Sequence, residues 1–67
     1  MEENSELSKR EKEIIFLLTN AKNRKTIAAE LDLSIHTVDT HLRNIYAKLE
    51  VNTRTGAVAK ALKERLV

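Results

Sequence analysis

The sequence contains no proline and a single glycine, Gly56, among its 67 residues. Proline and glycine interrupt helices and form tight turns, so a chain nearly free of both favours helices over strands joined by hairpins. The length suffices for one small domain, in which about 60 residues hide only ~60% of the surface that their unfolded chain exposes. The sequence therefore predicts a single all-α domain of modest stability.

Composition also excludes several kinds of site. No cysteine is present, so neither disulfides nor thiolate metal ligands are available, which fits a cytoplasmic protein. No apolar run approaches the ~20 residues of a membrane span, and the acidic start MEENSE does not resemble a signal peptide. His36 and His41 lie five residues apart, with no acid or cysteine to complete a metal site. Because no catalytic constellation is present either, we expect no membrane contact, no metal, no cofactor and no enzyme activity.

Apolar residues recur at helical spacing in four segments of the chain. The predicted helices cover residues 9–20, 24–31, 35–49 and 54–66, and residues 1–6 are expected to be a disordered tail or a cloning remnant. A residue suited to cap a helix N-terminus precedes each one: Ser8, Asn23, Ser34, and Thr53 or Asn52. Glu11, three residues after Ser8, completes the pattern of a capping box. The first helix is expected to end at Asn20, which tolerates the left-handed conformation.

Only about three residues join the second and third predicted helices. In a helix-turn-helix motif, such a tight turn lets the second helix of the pair enter the major groove of DNA. Residues 14–67 carry nine basic and five acidic side chains, a balance that suits a polyanion but also serves ordinary solubility. Short helical hairpins also occur in bundles that bind no DNA, so this pattern alone leaves both interpretations open.

The third predicted helix divides into three strips at about 100° per residue. The strip expected to be buried contains Val38, Leu42, Ile45 and Leu49. The opposite, outward strip contains His36, Thr40, Arg43 and Ala47. A flank rich in donors, which phosphate oxygens require, contains Thr37, His41, Asn44 and Lys48. The fork of Arg43 matches the O6 and N7 acceptors of guanine, although a polar outer face is also typical of any amphipathic surface helix.

Three stretches of the sequence match the pattern of a known domain: LSKREKEIIFLL, KTIAAELDLSIHTVDTHLRNIYAKL and VNTRTGAVAKAL. They closely resemble the LuxR-type helix-turn-helix domain, also called the GerE or NarL/FixJ effector domain, of bacterial transcription regulators. The resemblance covers residues 7–67. It implies a four-helix domain that binds double-stranded DNA through its third helix and forms a homodimer through its fourth. Many relatives, response regulators among them, carry an N-terminal regulatory domain, which is absent from these 67 residues.

The resemblance also implies roles for individual residues. Base contacts are expected from Asp39, Thr40 and Arg43, together with His36 of the outward strip. Phosphate contacts are expected from Asn23, Arg24, Lys25, Thr37, Lys48 and Arg54, to which the flank adds His41 and Asn44. In the last helix we expect a buried stripe of Ala57, Val58, Ala61 and Leu62. Ala59, Leu66 and the edge of Leu62 then remain for a dimer partner.

Asp39 departs from the pattern of the LuxR-type domain that the sequence resembles, in which lysine, arginine or another polar residue often occupies this position. A carboxylate cannot donate to guanine, but it can accept from cytosine N4. It also precedes Arg43 by four residues, the favourable orientation for a helical ion pair. Our hypothesis is that Asp39 orients Arg43 and narrows base choice at the cost of general affinity. The carboxylate and the modest net charge of +2 also leave an alternative, a helical protein-interaction module that has lost DNA binding.

The LuxR-type domain that the sequence resembles usually has glycine at two helix ends where this sequence has none. Ala21 follows the first helix and Glu50 the third, and a left-handed conformation costs a residue with a Cβ roughly 1 kcal/mol. Gly56 stands where an acid is common in the first turn of the last helix, and it lowers helix preference by about 1 kcal/mol. We therefore expect a marginally stable domain that dimerises weakly by itself.

Overall fold

The computed structural model describes residues 7–66, and the regular secondary structure in this range is entirely helical. The four helices are Lys9–Thr19 (α1), Arg24–Leu31 (α2), Ile35–Leu49 (α3) and Arg54–Lys63 (α4). The predicted all-α, four-helix class is confirmed, and every helix begins at its predicted residue. The first helix ends one residue earlier than predicted and the last three residues earlier. The expectation of a tail at residues 1–6 lies outside the described residues.

Each helix begins with a side chain that accepts a hydrogen bond from the first helical turn. The capping residues are Ser8, Asn23, Ser34 and Thr53, so Thr53 and not Asn52 caps α4. The capping box of α1 is complete, because the Ser8 N–H also donates to Glu11 Oε1 over 2.8 Å. A Cβ on Gly56 would lie only 3.2 Å from Thr53 Oγ1, the atom that caps α4. Glycine avoids this close contact.

All four helices are closed by a residue in the left-handed conformation, and none of these residues is glycine. They are Ala21, Asp32, Glu50 and Arg65, with φ between 56° and 64°. The next N–H then donates to a carbonyl five residues earlier, as Leu66 does to Ala61 over 2.8 Å, which is the Schellman closure. This turn ends α4 before residue 66. The expectation that Asn20 takes the left-handed conformation is wrong, because Ala21 takes it.

Helix α3 forms the centre of the domain and packs against the other three helices. Its predicted stripe is buried, together with residues of every other helix. The buried apolar residues are Leu7, Ile14, Ile15, Leu18, Ile27, Ala28, Val38, Leu42, Ile45, Leu49, Ala57 and Ala61. Leu62 is 57% exposed, so the prediction that it belongs to the buried stripe of α4 is wrong. The small Ala57 and Ala61 bring α4 close to the core.

One charged side chain, Glu11, is buried at the junction of α1 and α3. Its Oε1 accepts a hydrogen bond from Lys48 Nζ over 2.7 Å, and the two side chains are 5% and 29% exposed. Burial raises the pKa of the Glu11 carboxyl, but the bonds from Lys48 and Ser8 outweigh it and hold the pKa below its ordinary 4.5. Glu11 therefore both caps α1 and ties it to the C-terminal turn of α3.

Relief of left-handed strain at Ala21 is expected to stabilise the domain. Ala21→Gly removes a Cβ from a residue at φ 64° and should raise the free energy of unfolding by about 1 kcal/mol. For a domain of this size, the melting midpoint should rise by roughly 4–8 °C per kcal/mol. Ala29→Gly, at an exposed position inside α2, is the matched control and should lower the midpoint. Equal effects of the two substitutions in thermal unfolding would contradict this interpretation.

Acid should weaken the domain through Glu11. A carboxyl whose pKa is lower in the folded than in the unfolded chain adds stability above its ordinary pKa and loses it as pH falls through the folded value. We expect Glu11→Gln to be less stable than wild type near neutral pH and to lose less stability between about pH 5 and pH 2. Urea unfolding at a series of pH values measures both effects, with Glu13→Gln as the control for loss of a carboxylate from the same helix. An acid profile of Glu11→Gln identical to wild type would contradict the prediction.

Candidate nucleic-acid interface

A tight, well-bonded turn fixes the direction in which α3 leaves α2. Asp32 adopts the left-handed conformation at φ 59°, and the Leu33 N–H donates to the Ala28 carbonyl over 2.8 Å. The half-buried Leu33 side chain packs against the core, and Ser34 caps the new helix. Because both sides of the turn are fixed, the core contacts of α3 determine which of its side chains face solvent.

The outward strip of α3 is exposed as predicted. Its members are His36, Thr40, Arg43 and Ala47. The Thr40 hydroxyl donates to the His36 carbonyl over 3.1 Å and keeps lone pairs for a further partner. Within residues 7–66 the Arg43 guanidinium makes no hydrogen bond or ion pair. All five N–H donors of Arg43 are therefore available to a ligand.

Asp39 lies at the edge of this strip and pairs with α2 instead of Arg43. Arg24 Nη1 lies 2.8 Å from Asp39 Oδ1 and 2.7 Å from Oδ2. The hypothesis that Asp39 orients Arg43 is therefore wrong. The reason is that the first turn of α2 lies beside α3, which lets the long Arg24 side chain reach the carboxylate. An exposed pair of this kind contributes only about 0–1 kcal/mol to stability.

The flank of α3 divides into residues that face solvent and residues that hold the fold. Asn44 is exposed, and His41 is half-buried. The Thr37 hydroxyl accepts from Ser34 Oγ over 2.9 Å, which makes Thr37 part of the N-terminal cap. Lys48 is bound to Glu11. The Lys48 ammonium therefore ties α3 to α1, and the phosphate contact expected from it stays a prediction.

The predicted phosphate contacts outside α3 cluster at the N-termini of α2 and α4. The Asn23 side chain caps α2 by accepting from the Thr26 N–H over 2.8 Å. Lys25 is exposed and makes no ion pair among the described residues. Arg54 Nη2 donates to the Lys22 carbonyl over 2.6 Å, so this side chain links α4 to the loop before α2. Three cations lie in this cluster: Arg24, Lys25 and Arg54. Lys25 is the one without a partner in the described domain.

The exposed side of α4 carries a shallow apolar surface. Its lining residues are Arg54, Thr55, Val58, Ala59 and Leu62. Leu66, which was predicted for the same surface, is half-buried and packs against the core. Leu66 takes this position because α4 ends early, at the turn at Arg65. The dimer contact expected from Leu66 stays a prediction.

The sequence model of a regulatory family, GerE (Bacterial regulatory proteins, luxR family), matches residues 5–61. The chain belongs to the luxR family. It is therefore a DNA-binding domain of a transcription regulator, and its family is not a class of enzymes. This confirms the family that the sequence motifs resembled.

Individual luxR-family relatives support the same assignment. The chain is 46% identical over 54 residues to the monoamine regulon transcriptional regulator of Klebsiella aerogenes, covering 81% of this chain and 24% of that protein. It is 46% identical over 61 residues to the transcriptional regulatory protein LiaR of Bacillus subtilis, covering 91% and 29% respectively. A crystal structure of response regulator ChrA, from a heme-sensing two-component system, matches with a TM-score of 0.92 and 41% identity, covering 98% of this chain and 33% of that one. The chain thus spans about a quarter to a third of the length of these relatives.

The described part of this luxR-family domain lacks two kinds of feature. Within residues 7–66, no group of three histidine, aspartate or glutamate side chains is placed to hold a metal ion. The same part of the chain has no helix long and apolar enough to cross a membrane.

The exposure of Ile35 and the ion pairs of two predicted site residues, Asp39 and Lys48, were not predicted from the sequence. The apolar side chain of Ile35, at the first position of α3, is exposed beside His36. Ile35 lies three residues before Val38, at the spacing of the buried stripe, so the apolar pattern did not indicate that Ile35 is exposed. The pairs Arg24–Asp39 and Lys48–Glu11 join residues 15 and 37 positions apart, and no local pattern indicates such contacts.

Proposed function

We propose that this domain binds double-stranded DNA sequence-specifically, with the outward strip of α3 in the major groove. The observation that carries the proposal is the position of Arg43, an arginine without a partner in residues 7–66 on a strip that takes no part in the core. A major groove about 12 Å wide admits an α-helix. The small Ala47 on the same strip lets the helix approach the groove closely.

Base and phosphate contacts are assigned to different sides of this surface. Arg43 donates to guanine O6 and N7, with His36, Thr40 and Asp39 facing neighbouring bases. The phosphate contacts are assigned to Asn23, Arg24, Lys25, Thr37, His41, Asn44 and Arg54. Lys25 is the strongest of these because it is exposed and cationic and has no competing partner in the described fold. Lys48 contributes indirectly by fixing α3 against α1.

We further propose that two copies pair through the apolar surface of α4. Leu62 is 57% exposed and lies beside the small Ala59, which suits a self-complementary contact between two α4 helices. A twofold dimer would present its two α3 helices to half-sites about one DNA turn, ~34 Å, apart. LiaR is named a transcriptional regulatory protein and ChrA a response regulator. By analogy, we propose that this domain works in the cytoplasm with an N-terminal regulatory domain.

Arg43→Ala should reduce discrimination between DNA sequences. Losing a bidentate guanine contact is expected to cost ~1–3 kcal/mol on a duplex selected from a random pool by the wild-type domain. Binding to random duplex should weaken much less, so the ratio of the two affinities should fall. Arg10→Ala, which removes an exposed arginine from α1, is the matched control. Fluorescence anisotropy with both duplexes measures the ratio.

Salt dependence separates phosphate contacts from base contacts in the same experiment. Lys25→Ala should weaken all duplexes alike and reduce the slope of log affinity against log salt by about 0.9. The proposed orientation of α3 is supported if Arg43→Ala loses affinity mainly for the selected duplex and Lys25→Ala loses affinity for all duplexes alike. If neither variant differs from Arg10→Ala, α3 does not read DNA in this way, and the alternative of a protein-interaction module gains support.

Leu62→Glu should disrupt cooperation between two copies on DNA. A charge in an apolar self-contact is expected to reduce binding to a duplex with two half-sites by at least about tenfold, or ~1.4 kcal/mol. Binding to a single half-site should be unchanged. Phe16→Glu is the matched control because Phe16, on α1, is exposed to a similar extent, 53% against 57%. If both variants lose the same affinity for the duplex with two half-sites, or if neither loses any, α4 is excluded as the dimer contact.

A further inference from the structure

A single carboxylate lies beside the strip of α3 that is proposed to enter the major groove. Both oxygens of Asp39 are within 2.8 Å of one nitrogen, Arg24 Nη1. The two side chains are 34% and 58% exposed, respectively. Within the described residues the Asp39 carboxylate has no other partner. Each oxygen therefore keeps lone pairs that point away from Arg24 and are open to a ligand.

The chemistry of a carboxylate limits which base it can accept. An ionised carboxylate only accepts hydrogen bonds. In the major groove, cytosine presents the N4 amino donor, whereas guanine presents the O6 and N7 acceptors. Thymine presents the O4 acceptor and a methyl group. Adenine also presents an amino donor, N6, but its N7 acceptor lies beside that donor and repels a carboxylate. At the position facing Asp39, cytosine is therefore the base that suits the carboxylate best.

Arg24 makes this carboxylate tolerable at a polyanionic surface. Phosphate charges lie within a Debye length of about 10 Å at 0.1 M salt, so their repulsion of an unpaired carboxylate is not screened away. The Arg24 guanidinium neutralises Asp39 and uses only one of its three nitrogens for it. Its remaining N–H groups stay in solvent, where they can donate to a phosphate. The pair thus keeps a base-reading acceptor in place without adding net negative charge.

We propose that Asp39 selects cytosine at one position of the DNA target, and that Arg24 is the positioning residue that holds and neutralises its carboxylate. The inference rests on the proposed function, because it assumes that α3 occupies the major groove. If the ion pair only stabilised the fold, its loss would not change which base is preferred. The proposal predicts that base preference does change.

Four variants test the pair on duplexes selected from a random pool by the wild-type domain, on their single-base variants and on random duplex. Asp39→Ala should reduce the preference for cytosine at one position by about 5- to 150-fold. It should also strengthen binding to random duplex. Arg24→Ala should weaken binding to every duplex more than the matched control Lys25→Ala, because it also leaves a carboxylate unpaired. The double variant Arg24→Ala/Asp39→Ala should bind random duplex more tightly than Arg24→Ala.

A fifth variant, Asp39→Asn, tests the chemistry of base choice. An asparagine amide can both donate and accept, and it pairs with adenine N6 and N7. The substitution should therefore move the preferred base at the same position from cytosine to adenine. Thermal unfolding of all five variants checks that they fold, and base preference is compared at a temperature where each is folded.

Two results would overturn the inference. One is an unchanged base preference at every position in Asp39→Ala and Asp39→Asn. The other is the absence of any rescue of Arg24→Ala by the second substitution. Arg43→Ala, measured on the same duplexes, separates this failure from a failure of the proposed function. If Arg43→Ala loses discrimination while the Asp39 variants keep it, α3 reads DNA without Asp39. If no variant changes discrimination, the orientation of α3 is itself wrong.

Discussion

The apolar stripe of α3, buried between the other three helices, is the contact on which the rest of the domain depends. Its members are Val38, Leu42, Ile45 and Leu49. Burying a side chain of this size contributes about 1.5–3 kcal/mol, which is large for a domain of 67 residues. Rotating α3 by one residue, about 100°, would expose this stripe. The core therefore fixes which residues of α3 face outward, and so fixes the surface proposed to meet DNA.

The ends of the helices are held at some cost in backbone strain. Four residues with a Cβ adopt the left-handed conformation, and each carries a penalty of roughly 1–2 kcal/mol. Hydrogen bonds of the closing turns and the apolar residues that follow, Leu33, Val51 and Leu66, offset this penalty because they pack against the core. The buried pair of Glu11 and Lys48 adds a charged link between α1 and α3. We therefore expect the domain to retain its fold with a small margin of stability.

Local sequence patterns predicted the parts of the fold that depend on neighbouring residues. Helix starts followed from the four capping side chains, and the buried face of α3 followed from its apolar spacing. The class and family followed from motifs that cover almost the whole chain. The end of α4 was placed three residues too late because it depends on a turn at Arg65, for which no glycine signals the position.

Contacts between helices could not be predicted in the same way. Asp39 was assigned to Arg43, its neighbour on the same helix face, but it binds Arg24 of α2. Lys48 was assigned to phosphate, and its bond to Glu11 of α1 was not foreseen. In both cases the partner depends on how two helices cross and on the reach of a long side chain. The Arg24–Asp39 pair decides which charges of the surface remain available, whereas the Lys48–Glu11 pair joins two helices of the fold.

The central claim is that the outward strip of α3 is the part of the domain that DNA covers. The most direct measurement is an NMR titration of the 15N-labelled domain with a duplex selected from a random pool. We predict that the largest shifts occur at the amides of His36, Thr40 and Arg43, with small shifts around Phe16 on α1. Large shifts confined to α1 or α4, with α3 unchanged at saturating duplex, would contradict the account.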